Sequence, residues 1–193
     1  MKHLLSIIII LVVCSSCSRK KKESFTRVSI SEIFTDSLSI RAIVAQDTSR
    51  VWFAANRGVV GLVDGNTPKL ATVTYDNKLL HFRAIAKTQD AVFVLSIDTP
   101  AVLYKIDVKD NQATTMQEVY LETGEGVFYD AISFWNNQEG IAMGDPIGGC
   151  LSIIITRDGG DSWSKLSCDV LPSVVVGEAA FAASNSNIAI YGD

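Results

Sequence analysis

An all-β fold is predicted for this chain of 193 residues, and three observations predict it. From Phe25 onward the apolar residues fall in runs of four to eight, rich in Val, Ile, Phe and Tyr and punctuated by Asp, Asn, Gly and Ser. Those are the signals of strands and turns. No stretch of this body sustains the 3.6-residue spacing of an amphipathic helix. Finally, one strand–turn–strand pattern recurs. "SIRAIVAQDTSRVWFAA" at 39–55 returns as "HFRAIAKTQDAVFVLSI" at 81–97, "FYDAISFWNNQEGIAMGD" at 128–145 and "GEAAFAASNSNIAIYGD" at 177–193.

The period of that repeat narrows the fold. Aligning Ala42, Ala84, Ala131 and Ala179 gives offsets of 42, 47 and 48 residues. Between successive copies lie two further strand candidates, so each repeat holds four strands. Four strands in about 40 to 50 residues is the period of a β-propeller blade. A sandwich also uses short strands but does not repeat one pattern at this spacing.

Taken in order, the chain opens with "MKHLLSIIIILVVCSSC", in which Lys2 and His3 precede an apolar run and then small residues at a Cys. That is the layout of a secretory signal, and the run is too short for a membrane span of about 20 residues. It resembles a bacterial lipoprotein signal, which implies lipidation at Cys17, preceded by Ser15 and Ser16, rather than at Cys14 behind the bulky Val13. The alternatives are an ordinary secretory signal or a retained anchor. Residues 1–17 are therefore read as signal and "SRKKKES", 18–24, as a basic tether, either solvated or resting on anionic headgroups as a second anchoring signal. Ser18 with no acidic run after it points to an outer-membrane anchor facing the periplasm.

The body, 25–193, is expected to be a partial propeller. Of the 17 Lys and Arg, five lie at Lys2 and 19–22, and of the 21 Asp and Glu one is Glu23, so the body carries about −8. A nucleic-acid partner, which needs clustered Lys and Arg, is not expected. "FTRVSI" at 25–30 reads as a strand that completes the last blade. Blade one spans 39–76, with "VVGLVD" and "LATVTYD" as its outer strands; blade two spans 81–121, with "AVLYKIDV" and "TTMQEVYL"; blade three spans 128–168, with "CLSIIIT" and "SWSKLSC". The fourth holds two strands, giving about three and a half blades. A closed ring needs roughly twice this length. The chain is therefore expected to be truncated, or else a small open array completed by self-association, since an open blade exposes a strand edge.

"TRDGGDSW", 156–163, falls between the third and fourth strands of blade three. Thr156, Asp158, Gly160, Ser162 and Trp163 match the BNR or Asp-box pattern Ser/Thr-x-Asp-x-Gly-x-Ser/Thr-Trp, and the segment resembles that sialidase-like repeat family. The residue types suit a clasp: a carboxylate to accept N–H bonds inside the hairpin, a glycine at positive φ, and an indole to pack on the blade. In that family the motif is structural and lies away from the catalytic centre. Asp158 and Asp161 are two carboxylates, few for Ca²⁺, and no metal is expected. "GIAMGDPIGG" and "IAIYGD" extend the resemblance to bacterial extracytoplasmic propellers labelled sialidase-like or oxidoreductase, and to photosystem II stability factors. The resemblance implies six or seven blades in a complete propeller.

Pairing Thr156 with Ser162 across a turn centred on Gly159 places Cys150 opposite Cys168, within the reach of a disulfide. An extracytoplasmic address permits the bond; two buried free thiols are the alternative.

Catalytic chemistry finds little support. A sialidase needs an arginine cluster, a Tyr and Glu nucleophile pair and an Asp acid; "FRAI" at 82–85 is similar to that family's motif but lacks its Pro, and "IRAI" recurs at 40–43. The histidines are His3, in the signal, and His81, which begins a strand and reads as packing or solvated, so neither a His-based metal cluster nor a Ser-His-Asp set is assembled from them. Gly58 and Gly61 in "RGVVGLVDG" join strand to strand, leaving no helix N-terminus for a phosphate. No cofactor is expected. Arg41, Arg83, Asp130 and Glu178 each stand just before the recurring Ala and are the candidate ligand-binding residues, with inter-blade ion pairing as the alternative role. The expected function is a noncatalytic binding or assembly scaffold for protein or glycan ligands, held at the membrane by its lipid. A sialidase-type glycoside hydrolase completed by further sequence is the second reading.

Overall fold

The computed structural model describes residues 26–33, 37–180 and 185–191. Residues 1–24, with the signal, the tether and Cys17, lie outside the described residues. Contacts divide the chain after Glu32. On the near side of that division, 26–32 carry no strand, and Val28 and Ile30 are exposed. The strand expected at 25–30 is not formed over its described residues, 26–30, where the backbone is in no ladder.

The described fold is all-β. Three four-stranded sheets follow one another, each with its strands in chain order. The first is β1 (Ile40–Ala45), β2 (Arg50–Ala55), β3 (Val59–Asp64) and β4 (Thr67–Thr72), followed by a small hairpin of β5 (Thr74–Tyr75) and β6 (Lys78–Leu79). The second is β7 (Phe82–Lys87), β8 (Ala91–Ser96), β9 (Ala101–Lys109) and β10 (Gln112–Glu122). The third is β11 (Tyr129–Phe134), β12 (Gly140–Ile147), β13 (Cys150–Thr156) and β14 (Ser164–Lys165), with a one-turn 3-10 helix at Cys168–Val170. All pairings are antiparallel.

Turn chemistry explains the tight connections. Asp110 and Asn111 both take positive φ, as do Asp76 and Asn77, giving two-residue loops whose twist matches the flanking strands. The second of these alters the expected blade one. "LATVTYD" is not a single outer strand: the Gly65–Asn66 turn starts β4 at Thr67, and Thr74–Tyr75 instead folds back on Lys78–Leu79.

The second sheet is the middle layer. Along β8 all six residues are buried, because alternate side chains meet different neighbours. Val92 and Val94 join a core with Trp52, Val60 and Leu62 of the first sheet. Phe93 and Leu95 join one with Ile132, Ala142, Ile154 and Trp163 of the third. Each such side chain, fully withdrawn from water, contributes roughly 1.5–3 kcal/mol before entropy is counted. Strand β7 lies next to both β1 and β11, so the first strands of the three sheets adjoin.

The fourth copy departs from the expectation. Among the described residues of 177–193 there is no strand. A two-stranded hairpin that is not part of a larger sheet is marginal in water. Instead the fourth copy attaches through side chains: Ala180 N–H donates to Asp145 Oδ1 at 2.8 Å, Asn185 Nδ2 donates to Ile85 O at 2.6 Å, and Ile132 N–H donates to Asn185 Oδ1 at 3.0 Å.

Candidate functional site

The first strand of each four-stranded sheet is bulged at the same place in the repeat. Ile40 and Ala42 pair with the consecutive residues Ala55 and Ala54, Phe82 and Ala84 with Ser96 and Leu95, and Tyr129 and Ala131 with Gly144 and Met143. Arg41, Arg83 and Asp130 are the extra residues. A bulge breaks the ladder for one residue and shifts the side-chain phase beyond it. The shift is visible in β7: Phe82 faces the first sheet, yet Ala84, two residues on, faces the third. Because β1, β7 and β11 adjoin, three polar side chains are turned out of their ladders on neighbouring strands. A fourth bulge, at Asp145 in β12, sits where Gly144 and Pro146 pair with Ser152 and Leu151.

Burial rises from strand to strand across the group. Arg41 is exposed and Arg83 half-buried, whereas Asp130 is 2% exposed. The Arg83 guanidinium carbon lies 5.7 Å from the centre of the Phe128 ring, in cation–π range. Neither carboxylate oxygen of Asp130 has a hydrogen-bond partner among the described residues. Burial pushes its carboxyl up to about 6; the nearby Asp145 charge adds to the shift, and Arg83 opposes it. At the other end, burial and then the charges of Arg83 and Arg41 hold the His81 imidazole below its usual value, against a pull from Asp98. Arg83 therefore stands between a cationic end and an acidic one. Glu178 does not join them. It lies exposed in a turn and accepts from Val175 N–H at 2.8 Å, and no strand runs through it among the described residues.

The octapeptide "TRDGGDSW" folds as a clasp with its polar groups turned inward. Asp158 Oδ1 accepts from Thr156 Oγ1 at 2.8 Å and Ser162 N–H at 3.0 Å, and Oδ2 from Ser162 Oγ at 2.6 Å. The Ser162 hydroxyl is the chief reason the Asp158 carboxyl drops to about 2. Buried Thr156 also accepts Gly160 N–H at 3.0 Å. Gly160 has φ +81°, and a Cβ there would fall 2.3 Å from the Phe93 ring. Trp163 makes edge contacts with Phe93 and Phe134, and Asp161 pairs with Lys105 of the second sheet at 2.6 Å. Asp158 thus closes the octapeptide on itself, while Asp161 ties the third sheet to the second. Among the described residues no group of three or more His, Cys, Asp or Glu is placed to hold a metal ion.

Cys150 and Cys168 form a disulfide, with Cα atoms 5.6 Å apart, but the register that suggested it differs. Ile154 pairs with Lys165 and Ile155 with Ser164, one residue off the expected pairing, and β14 is two residues long rather than the whole of "SWSKLSC". Cys168 lies in the 3-10 turn, and the residue bridged to Cys150 across the sheet is Ser173.

Sequence reasoning missed a polar network between the second and third sheets. Glu122 Oε2 accepts from the hydroxyls of Tyr120 and Tyr129, each at 2.7 Å, and Oε1 pairs with Lys165. Burial pushes Glu122 up, yet the Lys165 and tyrosine hydrogen bonds outweigh it and hold the carboxylate below its usual value. Burial raises Tyr120 to about 12 and Tyr129 further. This Tyr and Glu set keeps its phenols protonated, and it includes neither Arg41 nor Arg83.

No protein-family model matches the chain, and no curated protein matches it. Among the described residues no helix is long and apolar enough to cross a membrane.

Proposed function

We propose that the three sheets are successive blades of a β-propeller, and that the chain is a lipid-anchored, extracytoplasmic scaffold. It binds protein or glycan ligands without transforming them. The observation that carries this reading is the set of equivalent bulges at Arg41, Arg83 and Asp130 on adjoining first strands. A ligand placed across them meets cationic guanidinium groups at one end and the acidic Asp130 and Asp145 at the other. The signal-like "MKHLLSIIIILVVCSSC" supports anchoring at Cys17, in the outer membrane facing the periplasm. The Asp-box supports the propeller.

The test uses the full chain on an array of acidic and neutral glycans, beside a fluorogenic sialoside. Saturable binding lost in Arg83→Ala, with no sialoside turnover, is expected. Turnover that depends on Arg83 would replace the scaffold reading with the glycosidase one. Labelling by a palmitate analogue that persists in Cys17→Ala would overturn the anchor.

A further inference from the structure

A second place on the molecule is built to receive something, away from the bulge cluster. Between β4 and β10 runs an open groove of about 630 Å³, within the range of ligand clefts. Its floor includes Trp52, Leu62 and Ile106, and its rim includes Leu70 and Met116. Trp52 is 5% exposed, and its indole N–H has no acceptor among the described residues. A buried indole N–H normally finds a partner, and leaving it without one is costly.

Both walls of the groove are sheet edges. β4 ends the first sheet and β10, eleven residues long, ends the second, so among the described residues each presents one side of its backbone unpaired. Bulges at Thr114 and Val119 interrupt β10, leaving Thr115–Glu118 in regular register between them. Among the described residues Lys69 is the single charged one lining the groove. Leu70 and Met116 are about half exposed, and two such side chains fall far short of the roughly 800 Å² each partner gives to a stable interface.

We infer that this groove binds an extended polypeptide segment that adds as a strand to the edge of β10. The segment is apolar at alternate positions and neutral, or carries one carboxylate toward Lys69. Main-chain bonds to the open edge give it affinity, its apolar side chains settle on Leu62 and Ile106, and one of its acceptors takes the Trp52 N–H. The groove is too narrow in apolar surface for a globular partner and has the wrong charge for a basic one.

The experiment selects a random octapeptide library on the full oxidised chain and measures the enriched peptide by fluorescence anisotropy. Enriched sequences that alternate apolar and polar residues are expected. Trp52→Phe should weaken binding about tenfold, as should Met116→Glu on the exposed rim, where folding is not at risk; Arg83→Ala should leave it unchanged. Backbone N-methylation at alternate peptide residues should abolish binding in one phase and spare it in the other. Any of four results overturns the inference: no enrichment over the Met116→Glu protein, indifference to N-methylation in both phases, loss with Arg83→Ala, or a dimer in sedimentation that Met116→Glu dissolves.

Discussion

Replacing Asp130 by Asn should make the protein's stability less dependent on pH, by an amount the structure sets. Asp130 is 2% exposed, so solvent screens its carboxyl little. Its pKa rises from 3.8 in the unfolded chain to about 6 in the fold. The sign follows from which state ionises first. As pH rises past 3.8 the unfolded chain releases this proton while the folded one keeps it, so the contribution present at low pH is lost between about pH 4 and pH 6. Two units at 1.36 kcal/mol each make that loss about 3 kcal/mol. Asn has no proton to lose. Its amide is also buried, which costs about 1–3 kcal/mol, but equally at every pH. The informative quantity is therefore the stability of Asp130→Asn minus that of the parent. It should rise by about 3 kcal/mol between pH 3.5 and pH 7.5, whatever its absolute value. Urea unfolding followed by tryptophan fluorescence at several pH values measures it. A difference that stays flat across that range, or falls, would refute an ionisable group held buried and without partners at the β11 bulge.

Gly160→Ala should cost about 3 kcal/mol in the same assay, from positive φ at a residue with a Cβ and from overlap with Phe93. Gly159→Ala, whose nearest atom is Asn137 O at 3.1 Å, should cost about half as much; equal costs would sink the claim that the Phe93 contact matters. Asp158→Ala should lose about 2 kcal/mol at pH 7 with its hydrogen bonds. Because the fold lowers the Asp158 pKa, its contribution is present above pH 4 and fades as pH falls toward 2, a slope the Ala variant should lack. Replacing Cys150 and Cys168 together by Ser opens a loop with an 18-residue separation and should cost about 3 kcal/mol. An unchanged urea midpoint would show that the bond constrains nothing in the unfolded chain.

Strands buried on both faces were the most legible part of this fold. "AVFVLS" reads as a strand because every residue is apolar or small, and β8 is a middle strand of the middle sheet. Edges were the least legible. Nothing in "SWSKLSC" says that pairing is confined to Ser164 and Lys165: before them Trp163 packs on Phe93 and Phe134, and after them the chain enters the 3-10 turn at Cys168–Val170. The disulfide survived a register error for a related reason. Cys168 sits in a 3-10 turn, where the chain bends back toward β13, so its approach to Cys150 does not depend on counting ladder rungs.

The candidate site was half legible, and the missing half is physical. The repeat marks Arg41, Arg83 and Asp130 by their place before a recurring Ala, but a bulge is a property of two strands and has no signature in one. The structure adds the consequence. An ordinary ladder would send Phe82 and Ala84 to one face; the extra residue between them sends Phe82 to one neighbouring sheet and Ala84 to the other, so the second sheet packs on both sides from its first strand onward. The bulge therefore does two things at once: it lets three sheets stack, and it leaves one polar side chain per sheet outside the ladder. Glu178 illustrates the dependence, since it has the right place in the repeat, lies in no strand among the described residues, and caps its own turn. If the architecture requires the bulges and the ligand requires the side chains, the two demands separate by substitution. Arg41→Ala should leave the urea midpoint nearly unchanged while abolishing glycan or protein binding; Arg83→Ala should abolish binding too, and should cost about 1 kcal/mol with its Phe128 contact. Loss of stability without loss of binding would assign these arginines to packing alone.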